Sequence, residues 1–243
     1  MVPPALVAAA FGATILFSVA LPHIPSLVAL NVALFHAVNQ LACGASANSP
    51  VFWLAWNVFN APLHVYVVLY SIATGYVLLR KRDQWPRLLL VGLAIAGLGY
   101  VSNPIIWQWA WGPRPYELTD ACILYPEWKP IWSSYSSYPS GHARETAAEI
   151  TFIVTFWRRF LPVGLLYLIL LCLSRLYVGV HFPLDVLVGT ILGWAIARIA
   201  FLSYDLYAAP LIGRLRDRSG RPASGTAAPS RRPTYSLPGA HRL

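Results

Sequence analysis

Charge is distributed very unevenly along this chain of 243 residues. Residues 1–111 hold only one short run of charged side chains, at 80–87, between two long and mostly apolar blocks. A helix needs ~20 such residues to cross a bilayer, and both blocks are longer than that. Since 57% of the residues are hydrophobic and only 11% are charged, the composition argues against a soluble domain. We therefore predict an all-α polytopic membrane protein, because backbone groups in lipid must bond within their own segment.

Hydropathy and segment length predict six transmembrane helices in a bundle. They are 5–21, 61–79, 88–111, 141–157, 161–178 and 184–203. The first segment lacks a positively charged leader, which favours a retained span over a cleaved signal peptide. Residues 26–60 mix apolar and polar positions with two tryptophans, a pattern typical of an interfacial helix and loop. No internal repeat or strand pattern competes with this assignment.

Arginine and lysine collect on one side of the six-span arrangement, in the loops at 80–87 and 158–159 and in the C-terminal tail. The positive-inside rule makes that side cytoplasmic and places the loop 112–140 on the other side. Residues 212–243 are rich in Arg, Pro, Gly and Ser, so we predict a disordered cytoplasmic tail beyond a membrane domain of 1–211. The tail serves as a positive-inside anchor or rests on anionic lipid. The net charge of +9 does not indicate nucleic acid, because the cations are not gathered on an aromatic or glycine-rich surface.

Ionisable residues border the last two predicted spans. Ser174-Arg175 ends one span, and His181-Phe182-Pro183-Leu184-Asp185 opens the next. Charged groups beside a span are costly and indicate function, although a single Arg at such a place usually just snorkels. With His181 and Asp185 one helical turn apart, the carboxylate can accept from one imidazole nitrogen and leave the other as a nucleophile. Arg175 offers a planar fork for phosphate oxygens.

A second motif, Pro139-Ser140-Gly141-His142, opens an apolar helix directly after a polar loop. Ser140 is a candidate N-cap, and Gly141 lets backbone N–H groups approach an anion at the positive end of the helix. His142 beside that site can donate a proton to a departing oxygen. Arg114, followed by Pro115, adds a second guanidinium just outside an earlier span. The six-span topology brings all these groups to the non-cytoplasmic ends of the helices, where they can share one pocket.

The ordered set Arg114-Pro115, PSGH at 139–142 and SR-x5-H-x3-D at 174–185 resembles the three-part motif of the type 2 phosphatidic acid phosphatase superfamily. That superfamily includes lipid phosphatases and the soluble vanadium haloperoxidases. The second and third parts match fully. The resemblance implies that His181 forms a phosphohistidine, that Asp185 orients it and that His142 protonates the leaving group. It also implies a phosphoryl-binding set without metal or other cofactor: Arg114, Arg175, Ser140 and Gly141.

The function implied by this resemblance is hydrolysis of a lipid phosphomonoester or diphosphate, with surrounding membrane lipids as the other partners. Substrates of this kind include undecaprenyl diphosphate, phosphatidylglycerol phosphate, phosphatidic acid and lipid A phosphates. The expected location is a bacterial inner membrane, with the site on the non-cytoplasmic side. Two alternatives stay open: a phosphotransferase that passes the group to an alcohol, and a non-enzymatic protein that binds anionic lipid. A haloperoxidase is disfavoured because those relatives are soluble.

Several residues near the motifs have more than one interpretation. The family usually has Lys seven residues before the first Arg, and this chain has Trp107 at that position. Either Gln108 or Lys129 takes the place of the missing Lys, or the substrate preference differs from that of the family. Glu145 and Glu149 fall on the His142 face of the helix. One of them raises the pKa of His142 or contacts a head group; alternatively they pair with Arg144 or face a water-filled cavity.

The three cysteines show neither a disulfide framework nor the spacing of a metal site. Cys172 lies in an apolar run and is expected in the core. Cys43 and Cys122 both face outward in this topology and can pair in an oxidising compartment. A metal site built from His142, His181 and Asp185 is possible by residue type. It is disfavoured because it would leave two arginines unexplained beside a cation.

Overall fold

A computed structural model describes most of the chain. The described residues are 3–20, 23–45, 49–59, 68, 71–72, 75–76, 79–80, 82–109, 112–123, 129–132 and 134–218. Every regular element within these ranges is helical, which confirms the all-α prediction. The longer helices are α1 (Pro4–Ala20), α2 (Pro25–Asn39), α4 (Trp85–Trp109), α7 (Gly141–Phe156), α8 (Leu161–Tyr177), α9 (Pro183–Ser203) and α10 (Ala209–Arg218). Short helices α3 (Pro50–Trp53), α5 (Pro115–Leu118) and α6 (Lys129–Trp132) lie between them.

Four helical stretches in the described part are long and apolar enough to cross a bilayer. They are Pro25–Ala42, Trp85–Ile106, Arg158–Tyr177 and Pro183–Leu215. The last three overlap the predicted spans 88–111, 161–178 and 184–203. Of the other predicted spans, 5–21 forms the apolar helix α1, 61–79 falls mostly outside the described residues, and 141–157 forms α7, which carries three charged side chains. The six-span count therefore stays a prediction.

The interpretation of residues 26–60 as an interfacial helix and loop differs from the structure at its N-terminal part, where Pro25–Ala42 is a candidate span. The reason lies in two asparagines that we took as signs of an interface. Asn31 Oδ1 accepts from the backbone N–H of Leu184 at 3.0 Å, and Asn39 hydrogen-bonds to backbone groups at the end of α8. These polar groups are satisfied inside the bundle, so they do not prevent the helix from crossing the membrane.

Helices α7 and α9 approach closely through two glycines four residues apart. A Cβ on Gly193 would overlap the backbone oxygen of Arg144 and lie 3.0 Å from the backbone nitrogen of Ala148. A Cβ on Gly189 would likewise meet the backbone oxygen of Ser140. Small residues at this spacing let the backbones of two membrane helices touch. The contact brings the start of α7 against the start of α9, which are the two helix ends that carry the predicted chemistry.

The C-terminal helix extends further than the sequence predicts. We expected disorder from residue 212, but α10 continues to Arg218. Leu211 and Leu215 lie one turn apart, and Leu and Arg are both good helix formers, so the helix has local support before Ser219. Residues 219–243 lie outside the described part, and the division into 1–211 and 212–243 stays a prediction.

Candidate active site

The segment between α8 and α9 adopts a turn that only glycine suits. Gly179 has φ +85°, and a Cβ there would stand 2.8 Å from the backbone oxygen of Cys122. Other residues are strained in that conformation and would collide with the neighbouring loop. The turn reverses the chain after Tyr177, and Pro183 then starts α9 with its fixed φ. His181 is thereby held in the short link between two helices.

His181 is buried and has one ring nitrogen engaged. Its Nδ1 lies 3.3 Å from Ser137 Oγ and 3.5 Å from Asp185 Oδ2. The same carboxylate oxygen accepts from the Ser137 hydroxyl and from the backbone N–H of Phe182, the latter at 2.8 Å. The carboxylate is therefore fixed by three neighbours and caps α9 as well. The pairing of His181 with Asp185 matches the sequence prediction, and it leaves Nε2 for the pocket.

Burial lowers the pKa of His181 to about 4, and the nearby guanidiniums of Arg114 and Arg175 act in the same direction. The hydrogen bond and negative charge of Asp185 oppose this shift. The imidazole is therefore uncharged at neutral pH. An uncharged ring keeps a lone pair on Nε2, which a nucleophile requires.

Two buried arginines flank His181. Arg114 is 7% exposed and its Nη1 donates to the backbone oxygen of Val180 at 2.9 Å. Arg175 is 1% exposed and its Nη2 donates to the backbone oxygen of Ala55 and to Ser174 Oγ, both at 3.3 Å. Burial lowers the pKa of Arg114, against the pull of nearby anionic groups. A guanidinium with so little hydration gains strongly from an anionic ligand.

At the second motif, α7 starts at Gly141 as predicted, but Ser140 meets it in a different way from a usual N-cap. Ser140 is the N-cap of α7, yet its hydroxyl makes no capping hydrogen bond and its Oγ has no partner among the described residues. Its backbone N–H donates to the backbone oxygen of Asp185 at 2.9 Å. Ser140 is therefore the N-cap by position, while the tight contact with α9 uses its backbone and buries its side chain. Gly141 is the first residue of α7, where backbone N–H groups point out of the N-terminal end of a helix.

Five of the seven predicted site residues line one pocket of about 270 Å³. The lining residues are Arg114, Tyr135, Ser136, Pro139, Gly141, His142, Glu145, Arg175, Val180 and His181. Asp185 lies behind His181, and Ser140 lies behind Gly141. The pocket thus presents two guanidiniums, two imidazoles and a helix N-terminus to the same small volume. Such a set can bind a tetrahedral anion and act on it from two sides.

The loop that carries Arg114 is tied to the serines before the second motif. Gly112 donates its N–H to Ser136 Oγ at 2.9 Å, and its carbonyl accepts from the N–H of Ser137 at 2.8 Å. A Cβ on Gly112 would lie 2.9 Å from that of Tyr138, so glycine permits this approach. The two loops therefore act as one support for the pocket.

Sequence reasoning missed three residues that hold the site together: Ser137, Asn39 and Asn31. Ser137 is one of several serines in a loop with no diagnostic spacing. The asparagines gave a signal, since a polar side chain in an apolar helix usually has a partner. Asn39 donates to the backbone oxygens of Cys122 and Tyr177, both at 3.0 Å, and accepts from the N–H of Cys122 at 2.8 Å. Asn39 therefore joins the loop that contains Cys122 to the end of α8.

Cys43 and Cys122 form a disulfide, with their Cα atoms 5.2 Å apart, as the outward topology allowed. The bond joins the end of α2 to the loop that Asn39 also holds. Cys172 is free and lies within α8. The disulfide and Asn39 together fix the surroundings of Gly179.

The two glutamates after the second motif differ in their surroundings. Arg144 Nη2 donates to Glu145 Oε1 at 3.1 Å, which is the pairing that we held open as an alternative. Glu145 also lines the pocket, while Glu149 does not. Lys129 lies over the ring of Tyr116 at 5.6 Å and is not a lining residue. The side chains of Trp107 and Gln108 lie outside the described residues.

Among the residues that the structure describes, no three His, Cys, Asp or Glu side chains are grouped as ligands of one metal ion would be. The residues of the disfavoured metal site, His142, His181 and Asp185, are not among such a group. Two guanidiniums border the pocket instead, and they would repel a cation and attract an anion.

The apolar helices, with a pocket lined by two guanidiniums and two imidazoles, define a helical membrane protein whose site suits an anion. Residues 85–207 match the model of the PAP2 superfamily, and the chain belongs to that superfamily. This agrees with the resemblance seen in the three motifs. The chain is a membrane protein: it has apolar helices long enough to cross a bilayer, and it shares its fold with a transmembrane protein of the superfamily.

Two relatives share about one third of their residues with this chain over the aligned regions. The undecaprenyl-diphosphatase of Sulfolobus acidocaldarius is 34% identical over 137 residues, which are 55% of this chain and 61% of that protein. Phosphatidylglycerophosphatase B of Bacillus subtilis is 33% identical over 123 residues, or 46% of this chain and 55% of the relative. The match thus spans less than two thirds of each relative's length.

The fold is shared with a solved structure. A crystal structure of the transmembrane PAP2 type phosphatidylglycerolphosphate phosphatase from Bacillus subtilis superposes with a TM-score of 0.58 at 24% sequence identity. The alignment covers 82% of this chain and 95% of that one. The likeness establishes a common fold for most of the chain.

Proposed function

We propose that this chain is a membrane lipid phosphatase that hydrolyses a phosphomonoester or diphosphate of a lipid. One observation carries the proposal. The Nδ1 side of His181 is held by Ser137 and Asp185, and its ring lines a pocket with Arg114 and Arg175. A neutral imidazole with a fixed second nitrogen, set between two guanidiniums, suits in-line attack on a bound phosphoryl group.

The first step forms a phosphohistidine. Arg114, Arg175 and the backbone N–H of Gly141 bind the phosphoryl oxygens and stabilise charge in the transition state. His181 Nε2 attacks phosphorus, and the bond from phosphorus to the leaving oxygen breaks. His142, protonated, donates its proton to that oxygen, so the alcohol or lipid phosphate departs. Asp185 stabilises the cationic ring that results.

Water completes the reaction. His142 is now neutral and removes a proton from a water molecule, which attacks phosphorus and displaces His181. Inorganic phosphate leaves, and both histidines return to their starting protonation states. This scheme requires no metal or other cofactor, because positioned cations and N–H donors supply the charge stabilisation.

The substrate is a lipid because the pocket lies at the ends of apolar helices. A volume of about 270 Å³ suits a phosphate group and not an isoprenoid or acyl chain, which would stay in the bilayer. The named relatives suggest undecaprenyl diphosphate or phosphatidylglycerol phosphate as first candidates. Phosphatidic acid and lipid A phosphates present the same chemical group and belong in the same test.

The topology that we propose has six spans in residues 1–211 and a basic cytoplasmic tail from 212 to 243. The arginines at 80–87 and 158–159 and those of the tail then share the cytoplasmic side. The pocket opens at the other ends of α7 and α9, on the non-cytoplasmic side of a bacterial inner membrane. An outward position also suits the disulfide, which persists in an oxidising compartment.

Phosphate release by detergent-purified protein tests the function directly. We expect activity on one or more of the four lipid phosphates, with and without chelator, and none with His181→Ala. His23→Ala, an exposed histidine outside the pocket, is the matched control and should keep full activity. Phosphate appearing on an alcohol acceptor instead of in solution would indicate a phosphotransferase. Lipid binding that survives without any turnover in the unmodified chain would indicate a non-enzymatic protein.

A further inference from the structure

A second and larger cavity lies toward the other ends of the same helices. It has a volume of about 930 Å³, and it shares no residue with the catalytic pocket. Its walls come mainly from α7, α8 and α9. Its lining includes Arg87, Thr151, Arg158, Thr190, Trp194 and Arg198. We call it the basal groove.

The length of the basal groove matches half a bilayer. Along α9 it runs from Thr190 to Leu202, twelve residues that rise roughly 18 Å in a helix. The hydrocarbon core is ~30 Å thick, so one leaflet occupies about 15 Å. The groove is therefore about as long as the chain region of a single leaflet.

Most of the groove is apolar, including positions that look polar in the sequence. Thr151 and Thr190 donate their hydroxyl protons to the backbone one turn earlier, at 2.7 and 2.8 Å. Their donors are therefore used within their own helices, and they contribute methyl groups to the wall. This surface suits an acyl chain.

The charged lining residues are three arginines and one aspartate. Arg87 Nη2 donates to Asp205 Oδ2 at 3.0 Å, so this carboxylate is already paired. Arg158 follows the end of α7 and Arg198 lies on α9, and together they give the groove a net charge of +2. The Nε of Arg198 is buried and has no hydrogen-bond partner among the described residues. A guanidinium within a membrane helix is costly unless an anion or water compensates it, and it indicates a functional site.

We propose that the basal groove binds an anionic phospholipid from the leaflet opposite the catalytic pocket. One acyl chain lies along the apolar wall, and the head-group phosphate accepts hydrogen bonds from Arg198 and Arg158. A zwitterionic lipid fits less well, because its cationic head group would lie beside the same arginines. The arginines of the groove and the catalytic pocket lie toward opposite ends of α8. This helix has 17 residues, so its two ends are roughly 25 Å apart.

Trp194 provides a reporter inside the groove. Lipids with brominated acyl chains quench a tryptophan that they touch, so the protein is placed in nanodiscs with brominated phosphatidylglycerol or brominated phosphatidylcholine. The chain has ten tryptophans, and the difference between the unmodified protein and Trp194→Phe isolates the signal of this one. One basic residue near the membrane surface favours anionic lipid by about fivefold. We expect half-maximal quenching at about a fivefold lower fraction of phosphatidylglycerol than of phosphatidylcholine.

Two charge-neutralising variants distinguish binding in the groove from attraction of anionic lipid by the basic surface as a whole. Arg198→Gln should reduce the preference well below fivefold, because only Arg158 then remains to hold the phosphate. Arg159→Gln, an exposed arginine on the same side but outside the groove, should leave it at about fivefold. Continued quenching by brominated phosphatidylcholine shows that the Arg198→Gln groove is intact. If that variant does not fold, Arg158→Gln is the second test and should also lower the preference.

Three results would overturn the proposal. Equal quenching by the two lipids in the unmodified chain would show that the groove does not select charge. An equal loss in Arg159→Gln would assign the preference to the whole basic surface. Displacement of brominated phosphatidylglycerol by millimolar inorganic phosphate would indicate a site for free anions instead of a lipid. None of these outcomes depends on the activity of the catalytic pocket.

Discussion

The backbone N–H of Ser140 donates to the backbone oxygen of Asp185 at 2.9 Å. This one bond joins the two motifs that carry the site, although 45 residues separate them in sequence. It exists because α7 and α9 touch through glycines immediately below it. The distance between His142 and His181 is therefore set by helix packing, and a change in that packing should affect catalysis without altering any residue of the pocket.

We first predict that Gly193→Ala destabilises the protein and reduces activity. The new methyl group would overlap the backbone oxygen of Arg144, and backbone cannot move aside as a side chain can. Overpacking of this kind costs ~1–3 kcal/mol. Thermal unfolding in detergent measures the effect as a lower Tm. Gly97→Ala on α4, where nothing lies within 4 Å, is the control and should leave Tm and activity unchanged.

Ser137→Ala should reduce kcat with little effect on KM. The hydroxyl donates to Asp185 and lies against His181 Nδ1, but Ser137 does not line the pocket. A hydrogen bond to a charged group contributes ~1.5–3 kcal/mol, which corresponds to a loss of roughly 10- to 150-fold in kcat. Steady-state kinetics on a soluble short-chain substrate gives both parameters. Ser134→Ala, in the same loop but exposed, should behave like the unmodified enzyme; an equal loss there would argue against a positioning role for Ser137.

The pH dependence follows from the lowered pKa of His181. Burial holds that pKa at about 4, so the nucleophile stays neutral down to that pH and is protonated below it. We expect the acidic limb of kcat/KM to lie near pH 4, well below the ordinary histidine value. Asp185→Asn removes a charge that raises this pKa, so the limb should move to lower pH while the rate falls. An acidic limb above pH 6 in the unmodified enzyme would contradict the assignment.

The sequence was sufficient for the two arginines and two histidines of the pocket and insufficient for the residues that hold them in place. Arg175, His181 and His142 stand in motifs whose residue types and spacing have a direct chemical reason. Ser137 and Asn39 act across 48 and 83 residues, and only the folded packing brings them to their partners. The same cause explains why the asparagines of 26–60 look interfacial in the sequence, because distant backbone groups satisfy them.

The last prediction concerns Asn39, which supports the turn at Gly179 from outside the pocket. Its amide donates to three backbone oxygens, and its carbonyl accepts from Cys122. Asn39→Asp keeps the size of the side chain but replaces the donor with a carboxylate that faces carbonyl oxygens. Buried acceptors left without a donor cost ~1–3 kcal/mol, and a buried carboxylate beside them adds repulsion. We expect a lower Tm together with a loss of activity. Asn57→Asp is the matched control, because Asn57 makes one exposed bond to Trp53, and it should leave both measurements unchanged. Normal stability and activity in Asn39→Asp would mean that the His181 segment does not need this brace.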